Sequence, residues 1–422
     1  MPLVLWLADL GLQLDFTDFY SAMTTIGKIA GLVGVCLFAS NIFLSGRYTF
    51  VDKLFGGLDR VYLFHRRIGI SAFLLLTLHV LTMTIRTWQD SFRSVIDSAF
   101  DVTDTTINHG RFGYYGLLVV IIITLFVRLK YERLKRIHTF MGVFLFFGGL
   151  HVYFTPSDVA VNLALRYYIL GIVTIALLSY VWRTVLKRWL VKRIIADVVE
   201  VNKLGDFVTE VIVKPRDGNV TFKAGQFNFW RFKQKGFPYE DHPFSITAST
   251  EEGRLRMSAK ALGDFTKILP TLSVGAVAEI QGPFGGFSID RSENTKQIWI
   301  AGGIGITPFM SMARTLRDTI GKDPSLKEYT ISLFYSVKND AEMIYKQELE
   351  DIAKKVPGFT FFPWVGERDG FISADKIVTK MKVIDADVFI CGPKPLLNAL
   401  SSQFKALGVS KSHIHFELFK LL

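Results

Sequence analysis

Five apolar runs, at about residues 24–45, 64–86, 112–129, 136–155 and 166–187, fill the first half of the sequence. Each is close to the roughly 20 residues that an α-helix needs to cross a bilayer. From about residue 195 the pattern changes to short alternating strands and turns, so the 422 residues divide into a membrane half and a soluble half. Residues 2–14 are apolar but too short to span and lack the basic flank of a signal peptide, which leaves a partial first span or an interfacial helix.

The net charge is +11, and in the membrane half Lys and Arg gather in short loops beside the apolar runs. Arg47, Lys53, Arg60, Arg66 and Arg67 precede the second run, Arg128, Lys130, Arg133, Lys135 and Arg136 precede the fourth, and Arg183, Lys187, Arg188, Lys192 and Arg193 follow the last. The intervening loop, 87–111, carries Asp90, Asp97, Asp101 and Asp104. The positive-inside rule then puts residues 46–63, residues 130–135 and the whole C-terminal half in the cytoplasm of a multi-pass cell-membrane protein, and it assigns the charge to topology rather than to nucleic acid. The two cysteines, Cys36 and Cys391, make no disulfide framework, and the sequon at Asn219 falls on the cytoplasmic side.

Four histidines occur in the membrane half in a matched pattern, His65 and His79 in one run and His138 and His151 in another. One run lies between these two, so both helices cross in the same direction. His65 then shares a depth with His138, and His79 with His151. The 14 residues from His65 to His79 rise roughly 21 Å and return to within roughly 40° of one face. The 13 residues from His138 to His151 leave an ideal helix roughly 140° out of phase, which calls for a distortion. Gly148 and Gly149 are the expected place for it. Histidines can simply hydrogen-bond between helices, but four in register, with no carboxylate or cysteine beside them in the spans to complete a small-ion site, favour two bis-histidine haems.

The soluble half begins with GQFNFW (225–230), DHPFSIT (241–247) and ALGDFT (261–266), strand-like and turn-punctuated as in a small antiparallel barrel. The glycine of ALGDFT stands where backbone N–H groups can meet a phosphate. Then IWIAGGIGITPFMSM (298–312) gives a buried strand, a glycine turn and a helix start, with Pro308 where the usual dinucleotide fingerprint has its last glycine. ISLFYSV (331–337) and DVFICGPKPLL (387–397) read as further parallel strands ending at the sheet's carboxyl edge.

The histidine spacings, with HPFS, GGIGITP and CGP in this order, resemble the NADPH oxidase and ferric reductase family, whose soluble part resembles ferredoxin-NADP reductase. The resemblance runs from about residue 24 to the end. It implies a multi-domain membrane protein: an α-helical haem-binding transmembrane bundle over 1–193, an antiparallel β-barrel FAD domain over 194–293 and an α/β NAD(P)H-binding domain over 294–422. His65, His79, His138 and His151 are then the ligands of two b-type haems. His242, Pro243, Phe244, Ser245 and Thr247 hold FAD, with His242 toward the pyrophosphate and Ser245 toward the flavin ring, while Gly263, Asp264, Phe265 and Thr266 close over the flavin phosphates. Gly302, Gly303, Gly305, Thr307 and Pro308 bind the dinucleotide, and Cys391, Gly392 and Pro393 lie beside the nicotinamide. Phe419 is similar to the C-terminal aromatic that stacks on the flavin, with Phe416 its rival and a hydrophobic plug its alternative role.

The expected path runs from cytoplasmic NADPH through FAD and the two haems to dioxygen, giving superoxide outside. A ferric chelate or a partner protein is the alternative acceptor. Ser336 and Lys338, placed to receive a 2′-phosphate, suggest NADPH with NADH tolerated. Lys28, the one cation in its apolar run, is expected at the depth of His79 and His151, either stabilising an anion there or snorkelling to the interface. There is no EF-hand loop and no segment resembling a subunit-docking domain, so an obligatory activator is not expected.

Overall fold

A computed structural model describes residues 1–9, 14–88, 90–100, 103–127, 129, 131–186, 193–218, 220–381 and 385–417. They form two compact units. One comprises Met1–Val51 and Val61–Val191, the other Asp52–Arg60 and Lys192–Leu422.

The first unit is a helical bundle. Among the described residues five stretches are long and apolar enough to cross a membrane, Phe19–Leu44, Arg60–Ile85, Thr105–Phe126, Arg133–Phe154 and Leu163–Leu186. The acidic and amide residues between the runs start the helices. Asp18 caps α2 (Phe19–Leu44) by accepting from Ser21 N at 2.7 Å, and Asp104 and Asn162 cap α6 (Thr105–Phe126) and α10 (Leu163–Val181) in the same way. Leu145, Leu165 and Ile169 are sealed in the bundle, while Leu74, Leu81, Leu125 and Leu178 stay exposed on the spans, as lipid contact demands. Residues 2–9 form α1 (Pro2–Asp9). At eight residues it is about 12 Å long, far short of a crossing, and it packs Trp6 into the bundle at 2 % exposure.

The histidine-bearing helix α4 (Leu58–Ile85) is continuous. The other is not: α7 (Tyr131–Thr139) and α8 (Met141–Phe154) meet at a turn on Phe140, whose N–H donates to Ile137 O at 3.0 Å, an i→i−3 bond. The distortion expected at Gly148 and Gly149 is therefore two residues after His138 instead. A tightened turn advances about 120° per residue against about 100°, which carries His151 round toward the face of His138. A Cβ on Gly113 of α6 would stand 3.1 Å from Phe144 O and 3.3 Å from Gly148 N, so Gly113 lets α6 and α8 close on each other.

The second unit holds two sheets. Strands β1 (Ile194–Leu204), β2 (Val208–Pro215), β3 (Phe227–Lys233), β4 (His242–Ser245), β5 (Leu255–Lys260) and β6 (Val277–Phe284) are antiparallel in the order β4-β3-β6-β1-β2-β5. A single bridge between Ile246 and Met257 joins the two edges and closes the sheet into a barrel around Val211, Val213, Trp230 and Phe232. Strands β7 (Lys296–Gly302), β8 (Thr330–Val337), β9 (Phe359–Val365), β10 (Asp387–Cys391) and β11 (Ile414–Glu417) are parallel in the order β11-β10-β7-β8-β9. The chain winds one way from β7 through β9 and then the other way from β10. The switch point between β7 and β10 is where an open α/β sheet leaves a crevice at its carboxyl edge. The expected order of helical bundle, antiparallel barrel and α/β domain is thus the order observed.

Candidate functional site

The matched spacing does bring the histidines together in pairs. The ring centroids of His65 and His138 are 6.5 Å apart, and so are those of His79 and His151. Two metal–imidazole bonds of about 2.0 Å, with roughly 1.1 Å from each ring centre to its nitrogen, require about 6.2 Å. Backbone carbonyls set the tautomers. His65 Nδ1 lies 3.0 Å from Asn41 O, His79 Nδ1 2.8 Å from Gly27 O, and His151 Nδ1 3.2 Å from Thr106 O. A carbonyl only accepts, so the Nδ1 of His65 and of His79 carries the hydrogen and Nε2 keeps its lone pair for a metal, while His151 Nδ1 meets the Thr155 hydroxyl at 3.0 Å as well. Two glycines make room behind the rings. A Cβ on Gly31 would sit 2.7 Å from His79 Nδ1, and one on Gly110 would sit 2.8 Å from His151 Nδ1. Among the described residues no cluster of three or more His, Cys, Asp or Glu gathers as a small-ion site. Paired imidazoles with nothing else beside them fit iron whose other ligands come from a macrocycle.

A cavity of about 500 Å³ opens between His79 and His151, lined also by Gly31, Gly110, Phe144 and Leu145. Its size is in the usual range of roughly 300–1,000 Å³ for ligand pockets. Trp6, Lys28 and Asp158 complete the lining on one side. Lys28 therefore does reach the depth of this pair, but its charge has a counter-ion: Nζ is 2.8 Å from Asp158 Oδ2, and Trp6 Nε1 donates to the same oxygen at 2.7 Å. Burial opposes ionisation of Asp158, yet the hydrogen bonds from Lys28 and Trp6 outweigh it and hold the carboxyl below its ordinary range.

In the barrel, β4 presents HPFS against β3, with Ser245 opposite Phe227 and His242 opposite Trp230. Ser245 Oγ and Thr247 Oγ1 are buried without a protein partner, two donors left for a bound group. The His242 ring stacks on Phe265 at 3.8 Å, with Phe244 also stacked on Phe265, which draws HPFS and the GDFT turn into one aromatic patch. Within that turn, Thr266 Oγ1 accepts from Leu262 N and Gly263 N at 2.9 Å each, so those two N–H groups, expected to face a phosphate, are already engaged.

At the switch point the two glycine motifs touch. A Cβ on Gly305 would lie 2.2 Å from Cys391 O, and one on Gly392 would lie 3.1 Å from Gly302 Cα, so the glycines permit a backbone approach that no side chain would. Gly303 has φ 54°, and Thr307 and Pro308 open the helix Thr307–Thr319. Cys391 is fully buried and in no disulfide, and Pro393 caps the helix Lys394–Ala406. Ser336 pairs with Gly302 across β7 and β8, while Lys338 is exposed just beyond. Phe419 lies outside the described residues; Phe416, on β11, is half-buried against the sheet.

Comparison with known families decides what these sites belong to. Residues 30–149 match the family described as ferric reductase like transmembrane component, residues 194–302 an FAD-binding domain, and residues 299–402 an oxidoreductase NAD-binding domain. The chain has the architecture of the NADPH oxidase and ferric reductase family. Among similar proteins, a flavohemoprotein of Rhizobium meliloti is 26% identical over 243 residues, 52% of this chain and 59% of that protein. The glycine betaine monooxygenase reductase subunit of Chromohalobacter salexigens is 28% identical over 159 residues, 35% and 42% of the two chains. The chain thus spans less than two thirds of the length of these relatives. The flavohemoglobin structure from Malassezia yamatoensis, with bound FAD and heme, aligns with a TM-score of 0.51 at 16% identity over 94% of this chain and 97% of that one, a likeness of fold alone.

Within this NADPH oxidase and ferric reductase architecture, sequence reasoning missed the residues that support the sites. Gly31 and Gly110 read as ordinary helix glycines. Asp387, 2 % exposed, holds His413 Nδ1 and His415 Nε2 at 2.7 Å each and so fastens β11 to β10, but no local motif joins residues that far apart. Arg314 is buried in the helix after GGIGITP, and no local motif marks it.

Proposed function

We propose that this protein is a transmembrane NAD(P)H oxidase with FAD and two b-type haems, which takes electrons from cytoplasmic NADPH and gives them singly to dioxygen, releasing superoxide on the outer side of the cell membrane. The observation that carries this reading is the pair of bis-histidine constellations, each 6.5 Å between ring centres, in a chain that also has FAD- and NAD-binding domains. When bound, the flavin turns a hydride into single electrons and the haems relay them along the spans.

The chain's own residues hold and orient. His65 with His138 and His79 with His151 are the haem ligands, with the tautomers of His65 and His79 set by the Asn41 and Gly27 carbonyls. Ser245 and Thr247 offer unpartnered hydroxyls to the flavin. Gly302, Gly303 and Gly305 would let the dinucleotide approach the backbone beside Cys391, and Phe419 keeps the role that the family resemblance implies for it, the C-terminal aromatic of the flavin site. Ser336 and Lys338 favour NADPH, with NADH tolerated. The basic loops set the dehydrogenase half in the cytoplasm. Dioxygen and the bilayer are the proposed partners.

The matched family's description supports a second reading, in which the same path ends on a ferric chelate; delivery to a partner protein is a third. Cytochrome c reduction by the purified protein with NADPH tests all three. Suppression by superoxide dismutase is the expected result, and a signal that dismutase leaves untouched would transfer the proposal to ferric or partner reduction.

A further inference from the structure

The flavin motif and the dinucleotide motif lie on two different sheets, and among the described residues no strand pairing links those sheets. Their relative position must come from side chains. The helix Thr307–Thr319 leaves the glycine turn with Ser311, Arg314 and Thr315 on one face, at i, i+3 and i+4. All three grip the run that continues β4. Ser311 Oγ donates to Ala248 O at 2.7 Å, Arg314 Nη1 donates to Thr247 O at 2.8 Å, and Thr250 N donates to Thr315 Oγ1 at 3.1 Å.

Arg314 is 3 % exposed, and its remaining edge is taken by Glu348, with Nε and Nη2 each 2.7 Å from a carboxylate oxygen. Its guanidinium also lies 5.0 Å from the ring of Tyr345. Tyr345 is held at φ 61° with its hydroxyl 2.5 Å from Ser258 Oγ and 2.9 Å from Glu210 Oε1, both on the barrel. For stability alone, packed apolar residues would serve as well as a buried ion pair, so a planar, multiply bonded cation here points to a demand for orientation. Thr247, whose carbonyl it fixes, carries one of the two unpartnered hydroxyls of the flavin strand.

We propose that Arg314 and Ser311 are positioning residues that set the separation of nicotinamide and flavin for hydride transfer. This rests on the dehydrogenase part of the function proposed above. A hydride, the C4 hydrogen with its electron pair, leaves the reduced nicotinamide and bonds to the flavin, so the dinucleotide is oxidised and the flavin reduced by the same two electrons. Neither side chain touches a reacting atom. Both act through the carbonyls of Thr247 and Ala248.

Stopped-flow flavin reduction in the full-length purified protein, with NADPH and its 4,4-dideuterated form, tests this. Arg314→Lys keeps the charge and loses the fork; Ser311→Ala removes one neutral hydrogen bond and is the milder variant should the first fold poorly. The expected result is a fall in the reduction rate constant of about tenfold for Arg314→Lys and about threefold for Ser311→Ala. The deuterium isotope effect should rise in both, with FAD content unchanged and the KM for NADPH within about twofold. Wild-type rates and isotope effects in Ser311→Ala would overturn the proposal, and so would a rate loss matched by lost FAD or NADPH affinity at an unchanged isotope effect. Absence of flavin reduction in the wild-type protein would instead sink the functional reading itself.

Discussion

An imidazole offered to iron needs space on the side away from the metal, and in α2 and α6 that space is the missing Cβ of Gly31 and Gly110. Gly31→Ala and Gly110→Ala should each push aside the ring they back and bring the haem-to-protein ratio from two toward one. Gly148→Ala, with nothing within 4 Å of its Cβ, should leave the ratio at two; haem quantification checks all three. Lys28 shares its charge with Asp158, so Lys28→Met should lower superoxide output only modestly while both haems still reduce under anaerobic NADPH; unchanged oxygen turnover would leave Lys28 a packing residue. In the barrel, burial pushes the Glu279 carboxyl up, but hydrogen bonds from Lys233, Arg231 and Tyr239 outweigh it and hold it at about 2. Its folded value lies below the ordinary 4.5, so the stability it contributes is complete above that pH and drains away as pH falls toward about 2. Glu279→Gln should therefore lower the Tm at neutral pH and flatten the acid limb of Tm against pH, and an unaltered profile would show the cluster to be dispensable.

Among the elements, the break between α7 and α8 does the phasing. A histidine spacing of 13 is a poor fit to a regular helix, and the sequence shows that a distortion is needed without showing where. The glycines of α8 were the natural guess, since glycine is the residue that lets a helix yield. The turn lies at Phe140 instead, where the N–H bonds to Ile137 O and α8 begins. One alanine inserted between Phe140 and Met141 would rotate α8 by about 100° while leaving His138 in place. Haem content should fall from two to one, with the His65–His138 site retained. Retention of both haems would mean that α8 does not set the second site.

For the molecule as a whole, the loop charges make a topological prediction. Cys36 and Cys391 are both buried, so an introduced cysteine labels against a low background. Asp97→Cys should react with an impermeant maleimide on intact cells and Lys354→Cys only after lysis; both side chains are well exposed. The reverse pattern would invert the proposed direction of electron flow. Which helices cross, the pairing of the four histidines, the barrel and the α/β domain were all legible in the sequence, because each rests on a short-range signal: a run length, a helical spacing, or a glycine turn between strand and helix. The tertiary structure alone decided where the broken helix turns, that Lys28 meets Asp158, that Gly31 and Gly110 back the histidines, and that Arg314 and Ser311 reach the strand beyond HPFS. All but the first of these join residues distant in the chain through a contact whose geometry depends on how whole elements pack, and packing leaves no periodic trace in the order of the amino acids.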